Sequence, residues 1–142
     1  MIKNKEFEDK LRLSGLRPTK QRIKICDLLF NREKTFHFTI NDLSKIISRE
    51  LNEKISLATI YNTVHAFKKK GYLKEISINS DKSYFDTNTT AHHHFFDEDT
   101  NELIDCNSND IDSINIKKNI TGKKINSVEV LVRVASDNHN QN

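Results

Sequence analysis

The chain has 142 residues, of which 35% are hydrophobic and 30% charged, and its net charge is +3. This length allows one or two small domains, and the low apolar content favours burial of surface against a second copy. The chain has no apolar run of about eighteen residues and no apolar core near its start, so we expect neither a membrane span nor a secretory signal. The two cysteines, Cys26 and Cys106, form no disulfide framework, and we expect a reduced, cytoplasmic setting.

Charge is distributed unevenly along the chain. Residues 1–86 carry 18 basic and 11 acidic side chains, a balance of +7, whereas residues 87–142 carry 5 and 9, a balance of −4. A basic half favours contact with a polyanion, and an acidic half indicates a separate task. Because ordinary solvated surfaces can carry such a charge, it does not by itself establish DNA binding.

Helical spacing of apolar residues dominates the first half. Residues 4–14 place Phe7 and Leu11 on one side of a helix that ends at Gly15. Thr19 is the predicted N-cap of the next helix. The apolar face of that helix contains Ile23, Cys26, Leu29 and Phe30. Cys26 is therefore predicted to be a small buried thiol and not a ligand or nucleophile.

A loop over 31–38 separates these helices from two more. Thr39 and Asp42 stand at capping-box spacing, and the apolar stripe behind them is Ile40, Leu43, Ile46 and Ile47. The last helix is predicted from Ser56 to Gly71. It buries Ile60, Val64 and Phe67 and exposes Thr59, Tyr61, Asn62, Thr63 and the lysines at 68–70.

Two short strands, 72–78 and 82–86, follow around the polar turn 79–81. Three helices followed by a two-stranded hairpin make a winged helix, in which the last helix would enter the major groove. Small polar groups and a tyrosine at its start suit base edges, and nearby basic groups suit phosphates. A three-helix protein-binding module with the same core is the alternative that the pattern leaves open.

Half of the six histidines form a run, His92, His93 and His94. Carboxylates end short apolar segments on both sides of it, at Asp86 and Asp105. Imidazoles and carboxylates are ligands of transition metals and of heme iron. A solvated polar loop is the alternative interpretation of such a run.

Three motifs together resemble one known family. GLRPTKQR at 15–22, SLATIYNTV at 56–64 and the histidine run occur in the order typical of ferric uptake regulators, and the likeness extends from about residue 5 to 135. The second motif is the most specific. SYFDTN at 83–88 and HHHFF at 92–96 are most similar to the iron response regulator branch of that family.

The resemblance implies an α+β fold, in which a small α/β dimerisation domain follows an N-terminal winged helix-turn-helix. The implied domain bounds are 1–86 for DNA binding, 87–91 for a hinge, 92–135 for dimerisation and metal or heme sensing, and 136–142 for a disordered tail that includes His139. The second domain would contain strands near 93–97, 102–106 and 126–135 and a helix near 108–119. Valines alternate with other residues from Val128 to Val134, as expected of an interface strand.

The resemblance also implies a regulatory metal site at the hinge. The matching positions are His37, Asp86, His92, His94 and Asp105. Alternate residues of a strand share a face, so two imidazoles can converge on one ion, and carboxylates complete a shell suited to iron, manganese or zinc. A capping or surface role is the alternative for the first of these histidines.

In the iron response regulator branch the triple histidine is linked to heme, which makes His92, His93 and His94 candidate heme residues. A neutral imidazole is a competent axial ligand of heme iron. For His93, a buried polar role beside the metal ligands is the alternative.

The chain departs from the family pattern at several positions. Asp97 and Thr100 stand where the cysteines of a structural zinc site would fall, and two thiols cannot supply four ligands, so a four-cysteine zinc is excluded. Cys106 is then predicted to be a buried thiol. The family's other metal site lacks its histidine, with Ser127 near that position and Asp112 as the remaining acidic residue. The Cys-Pro heme-regulatory motif of some iron response regulators is absent.

We therefore predict a homodimeric regulator of iron homeostasis and heme metabolism that reads an AT-rich inverted repeat, with a heme-biosynthesis enzyme as a further candidate partner and no membrane contact. The predicted DNA-binding residues are Arg17, Lys20, Arg22, Ser56, Ala58, Thr59, Tyr61 and Asn62. The branch further implies a regulator that is active when iron is scarce. The alternatives are a manganese-, zinc- or peroxide-sensing member of the family and a heme- or metal-binding protein without DNA binding. We do not expect an enzyme, because the sequence has no nucleophile–base constellation and no glycine-rich phosphate loop.

Overall fold

A computed structural model describes residues 1–137 of the chain. The chain divides into two compact units, Met1–Thr89 and Thr90–Asn142. Each unit has its own sheet, and the four helices found within residues 1–137 all belong to the first unit. Within residues 1–137, no helix combines the length and the apolar character that crossing a bilayer requires.

Four helices build the first unit, and local capping signals set their ends. They are α1 (Asn4–Leu13), α2 (Lys20–Phe30), α3 (Ile40–Leu51) and α4 (Leu57–Lys70). The Thr39 hydroxyl accepts from the Asp42 amide at 3.0 Å, and the Asp42 carboxylate accepts from the Thr39 amide at 3.1 Å, which completes the predicted capping box. Gly71 ends α4 with φ +87°, a conformation that glycine adopts without steric cost.

The core of the first unit is built from one face of each helix. The residues fully or almost fully removed from solvent include Phe7, Leu11, Ile25, Cys26, Leu29, Leu43, Ile47, Ile60, Val64 and Phe67. The predictions for Phe7, Leu11, Cys26 and Leu29 are confirmed, and those for Ile60, Val64 and Phe67 as well. Ile23, Phe30 and Ile40 are only partly buried and pack against the edge of this cluster.

A three-stranded antiparallel sheet forms the wing. Its strands are β1 (His37–Phe38), β2 (Lys74–Ser77) and β3 (Ser83–Asp86), in the order β1-β3-β2. The two predicted strands are confirmed with shorter bounds. The prediction of a loop over 31–38 was wrong at its end, because His37 and Phe38 pair with Asp86 and Phe85.

The second unit contains a three-stranded sheet of mixed direction. Its strands are β4 (His94–Asp97), β5 (Glu102–Asp105) and β6 (Leu131–Val134). The central strand β4 pairs with β5 in antiparallel and with β6 in parallel register. Phe96 and Leu103 face each other across the first pair and are buried.

The helix predicted near 108–119 is absent from the structure, so that prediction was wrong. Residues 111–120 carry no regular secondary structure, and Ile114, Ile116 and Ile120 are exposed. The segment begins with Asn107, Ser108, Asn109 and Asp110, which are poor helix formers. A short helix also needs an apolar face packed on a partner, and the exposed isoleucines supply no such packing here.

The predicted disordered tail began at Ser136. The Ser136 amide donates to the Asp99 carboxylate at 2.6 Å. Residues 138–142 of that predicted tail, which include His139, lie outside the described residues.

Candidate metal centre and nucleic-acid interface

His94 and Asp105 face each other in the sheet of the second unit. They are paired positions on the antiparallel strands β4 and β5, which places their side chains on one face. The Nε2 atom of His94 lies 3.0 Å from Oδ1 of Asp105. The imidazole is 3% exposed, whereas the carboxylate reaches solvent. The imidazole of the pair is thus buried, and the carboxylate is accessible to an ion from solvent.

His92 joins this pair from the segment that precedes β4. Its Nε2 lies 3.4 Å from the same Oδ1 of Asp105, and the centroids of the His92 and His94 rings are 4.3 Å apart. The ligating atoms of the three side chains lie within 4.8 Å of one another. The expected shared face of His92 and His94 is therefore present.

A hydrogen bond to the backbone sets the tautomer of His92. The Nδ1 atom lies 2.7 Å from the carbonyl oxygen of Thr90, which can only accept, so Nδ1 carries the proton. In the neutral ring the lone pair is then on Nε2, the atom that faces Asp105. Histidine ligands of metal ions commonly have their other nitrogen fixed in this way.

The arrangement of these three side chains suits a cation. In the neutral state, the Nε2 lone pair of His92 and a carboxylate oxygen of Asp105 face each other and repel. A proton or a divalent metal ion between them replaces that repulsion with attraction. Two imidazole nitrogens and one carboxylate oxygen form the mixed donor set that iron, manganese and zinc accept. The residues present therefore fit a metal ion.

His93 points away from that face and is used differently. Its Nδ1 atom accepts a hydrogen bond of 2.8 Å from the backbone amide of Val130. The neutral ring then carries its proton on Nε2 and has no lone pair left there for a metal. This hydrogen bond supports the structural alternative for His93 and does not favour an axial heme ligand.

A cavity of about 410 Å³ opens beside His92 and His93 within the second unit. Its lining includes Ala91, Cys106, Asp112, Ile114 and Val128. Cys106 was predicted to be a buried thiol and is only half-buried in the structure. Burial, with Asp110 and Asp105 nearby, raises the pKa of the Cys106 thiol, which disfavours a thiolate ligand.

The first unit brings together two other predicted ligands. His37 on β1 and Asp86 on β3 are directly paired in antiparallel register, so their side chains share one face of the wing sheet. The Thr87 amide donates to the Phe36 carbonyl at 3.1 Å. The next pair, His37 and Asp86, is therefore a non-hydrogen-bonded pair, in which the two side chains lie closer together.

Asp86 is a buried carboxylate, only 1% exposed. Burial of a charged group costs free energy unless polar partners compensate it. The Asn88 amide donates to its Oδ1 at 2.8 Å, and Lys74 is its paired residue on β2. Burial lowers the pKa of Lys74, and the charge of Asp86 opposes that effect. A carboxylate between a histidine and a lysine can exchange the ammonium for another cation.

At the position of the missing cysteines, the chain forms a hydrogen-bonded turn. The Asp97 carboxylate accepts from the amides of Asp99 and Thr100 at 2.9 and 3.2 Å. Its side chain thus stabilises the connection between β4 and β5.

In the first unit, burial raises the pKa of the Cys26 thiol to about 12, as expected of a structural cysteine.

The start of α4 presents the predicted base-reading surface. Tyr61 is 51% exposed and Leu57 is 54% exposed, and Ala58 and Asn62 are exposed with them. Thr59 is half-buried, and the prediction that Thr63 is exposed was wrong, because Thr63 is buried and its hydroxyl donates to the Thr59 carbonyl at 2.7 Å. Ser56 and Thr59, two of the predicted DNA contacts, also stabilise the start of α4. The Ser56 hydroxyl accepts from the Thr59 amide at 3.1 Å and donates to the Thr59 hydroxyl at 2.9 Å.

The predicted phosphate contacts lie at the start of α2. Arg17 and Lys20 are exposed, and the Arg22 guanidinium donates to the Arg17 carbonyl at 3.0 Å. The Thr19 hydroxyl caps the helix by accepting from the Arg22 amide at 3.3 Å. A capped helix start with three cations around it suits a phosphate group.

His65 on α4 was missed by the sequence analysis. It stacks on Tyr61, with ring centroids 4.0 Å apart. The available signal was the spacing of four residues between two aromatic side chains on one helix, which makes them neighbours.

The chain is similar to known regulators along most of its length. Residues 13–133 match the model of the ferric uptake regulator family. The peroxide operon regulator of Bacillus subtilis is 30% identical over 122 residues, which cover 85% of this chain and 82% of that relative. The ferric uptake regulation protein of Pseudomonas fluorescens is 32% identical over 118 residues, covering 82% of this chain and 91% of that relative.

Solved structures share the fold. The ferric uptake regulator of Pseudomonas aeruginosa with manganese superposes with a TM-score of 0.63 at 23% identity, covering 96% of this chain and 98% of that chain. The Vibrio cholerae ferric uptake regulator gives a TM-score of 0.68 at 20% identity, covering 91% and 98%. The predicted α+β fold, with an N-terminal winged helix followed by a second small domain, is confirmed, although the second domain lacks the helix predicted near 108–119.

Proposed function

The chain belongs to the ferric uptake regulator family, and on that premise we propose a DNA-binding regulator of iron homeostasis whose metal ligands are His92, His94 and Asp105 with His37 and Asp86. Family membership makes it a metal-responsive transcriptional regulator and not an enzyme. Regulators of this family bind DNA and form dimers. The expected assembly is a cytoplasmic homodimer on an AT-rich inverted repeat.

One observation carries the metal proposal. The Nε2 atoms of His92 and His94 both face Oδ1 of Asp105, at 3.4 and 3.0 Å, while the Thr90 carbonyl holds the proton of His92 on Nδ1. This arrangement directs the Nε2 lone pair of His92 at Asp105 and places Nε2 of His94 beside the same oxygen, so one divalent ion would bind both nitrogens and the carboxylate. The ion would supply a double positive charge that links these donors when bound. His37 and Asp86, paired on the wing, are the proposed remaining ligands.

The chain's own residues would couple this site to DNA. Tyr61, Thr59 and Asn62 are proposed to touch base edges, while Arg17, Lys20 and Arg22 hold phosphates. Ser56 and Ala58, at the start of α4, are proposed to lie close to the sugar-phosphate backbone of the DNA. Metal occupancy changes the affinity for DNA only to the extent that the ion binds the DNA-bound protein and the free protein with different affinity. By likeness to the iron response regulator branch, we expect release from DNA when iron is plentiful.

Heme sensing is the second candidate. It is favoured by the run of three histidines and by the cavity of about 410 Å³ that opens beside His92 and His93. The hydrogen bond from the Val130 amide to His93 argues for His92 or His94 as the iron ligand in that case. A heme-biosynthesis enzyme is a proposed partner only if the regulator senses heme, because such an enzyme would supply the heme.

Manganese, zinc and peroxide remain candidate signals of the same site. The peroxide version is favoured by the names of two relatives, the peroxide operon regulator of Bacillus subtilis and the peroxide-responsive repressor of Staphylococcus epidermidis, which is 33% identical over 104 residues. Peroxide sensing would leave a mark that metal sensing does not, an added oxygen on His37 or His92 found by peptide mass spectrometry.

Titration of metal-stripped protein separates these candidates. Anaerobic Fe²⁺, Mn²⁺, Zn²⁺ and heme are added to the wild type and to a variant with His92, His93 and His94 replaced by alanine. Saturable metal binding that the variant loses, with only weak heme absorbance in both proteins, supports the metal-ion proposal. A stoichiometric heme band that the variant loses would favour the heme candidate. Equal metal binding by both proteins would refute the proposed ligand set.

A further inference from the structure

We infer that His65 is a positioning residue for DNA recognition, which lies between the ring of Tyr61 and Phe85 on the wing strand β3 and so fixes the Tyr61 ring. This inference rests on the proposed function, since it requires that Tyr61 touches base edges. It concerns the first unit alone. The observation behind it is a continuous stack of aromatic rings that begins in the wing and ends at the exposed surface of α4.

The stack has three members. The centroids of the Tyr61 and His65 rings are 4.0 Å apart with an interplanar angle of 36°. His65 in turn meets the ring of Phe85 edge to face, at 5.4 Å and 77°. Edge-to-face and offset contacts at such distances are attractive beyond simple burial. Tyr61 therefore has a fixed neighbour on one side, although half of its surface is exposed.

Phe85 is a rigid anchor for this stack. It lies on β3, the central strand of the wing sheet, where it is paired with Phe38 on one side and with Glu75 on the other. Its side chain is 2% exposed and belongs to the core of the unit. A side chain packed on Phe85 is consequently held in a fixed place relative to the wing sheet.

His65 is placed to transmit that position to Tyr61. The two residues are four apart on α4, so their side chains lie one above the other on the same face. An exposed tyrosine would otherwise sample several rotamers and lose that freedom on binding DNA. Stacking on His65 removes part of this entropic cost before DNA arrives. His65 need not touch a base to affect specificity.

The inference is tested with full-length protein and a double-mutant cycle. The specific probe is a duplex selected from a random pool by the protein itself, and the control probe is a scrambled duplex of equal length. Fluorescence anisotropy gives both affinities for wild type, Tyr61→Ala, His65→Ala, the double variant and His65→Phe. Phenylalanine keeps a flat ring at this position and serves as the rescue variant.

We expect His65→Ala to weaken specific binding by about tenfold, in the lower part of the range for a lost base contact, and to leave scrambled binding unchanged. The double variant should bind no more weakly than Tyr61→Ala, because His65 acts through that ring. His65→Phe should restore most of the loss. In ring-labelled protein, the Tyr61 ring resonances should shift in His65→Ala and return in His65→Phe.

Failure of the inference and failure of the proposed function give different results. Normal specific binding by His65→Ala beside a weakened Tyr61→Ala would overturn the positioning role alone. Fully additive losses in the double variant would overturn it as well. If Tyr61→Ala binds the selected duplex like wild type, the assignment of α4 as recognition helix fails, and the inference with it. Should His65→Ala not fold, His65→Gln provides the same comparison with a side chain that lacks the ring but is closer in size to histidine.

Discussion

The Nε2 atom of His94 lies 3.0 Å from Oδ1 of Asp105, across the register pair that joins β4 to β5. The sheet therefore fixes the direction of two proposed ligands before any ion is present. His92 reaches the same oxygen from outside the strand, with its proton held by a backbone carbonyl. Preorganised donors reduce the ordering that metal binding requires.

Asp105→Asn should weaken binding of Mn²⁺ or Zn²⁺ by more than about 100-fold, since loss of an outer-shell partner alone costs about 10- to 100-fold. The amide has nearly the same shape but supplies no negative charge. Competition with a chromogenic chelator measures the affinity. Glu102→Gln is the matched control, because Glu102 is an exposed carboxylate on the same strand and outside the cluster. Equal losses in both variants would contradict a specific role for Asp105.

His93→Ala should lower the stability of the protein by about 1–3 kcal/mol, because the Val130 amide loses its acceptor. Metal affinity should stay close to the wild-type value. His93→Asn should recover part of the stability, since its amide oxygen can stand near the position of Nδ1. Urea unfolding followed by circular dichroism gives the comparison. Loss of metal binding without loss of stability would instead make His93 a ligand.

Lys74→Gln should destabilise the metal-free protein by about 1 kcal/mol, because the buried Asp86 loses the nearby positive charge of its register partner. The same change should tighten metal binding several-fold, since the ion no longer competes with a lysine for that carboxylate. Thermal melting with and without Mn²⁺ tests both effects, and a larger metal-induced rise in Tm than in wild type is expected. Lys69→Gln, an exposed lysine at the end of α4, is the control. Unchanged or weaker metal binding in Lys74→Gln would contradict the expected competition.

Lys20→Ala should weaken binding to specific and scrambled duplexes alike and lower the salt slope of log K by about 1. A phosphate contact carries charge but no base information. Anisotropy titrations over a series of KCl concentrations provide the slopes. Lys117→Ala, in the exposed segment of the second unit, should leave them unchanged. A change in sequence preference with Lys20→Ala would instead place that side chain at a base.

Much of the helical fold is predictable because its signals are local. Thr39 and Asp42 are three residues apart and form the capping box that their spacing indicates. Gly71 ends α4 where a left-handed residue is needed. The strand β1 could not be found in this way, because two residues make no pattern and their partners on β3 are far along the chain.

The candidate site was predictable as a set of residue types and not as a set of tautomers. Which nitrogen of His92 or His93 faces outward depends on the Thr90 carbonyl and the Val130 amide, whose positions follow from tertiary packing. The expected helix over 108–119 came from the family's fold and was wrong for this sequence. His65 was missed since its importance depends on Phe85, a contact between α4 and the wing.

If His92, His94 and Asp105, with His37 and Asp86, are the metal ligands as proposed, bound metal should control DNA binding. The most direct test is anisotropy of a selected duplex with metal-free protein, titrated anaerobically with Fe²⁺ or Mn²⁺, beside Asp105→Asn. We predict that metal changes the affinity of the wild type by at least about tenfold, within the usual range of coupling between sites, and that the variant does not respond. An equal response in both proteins, or none in the wild type despite bound metal, would contradict the claim.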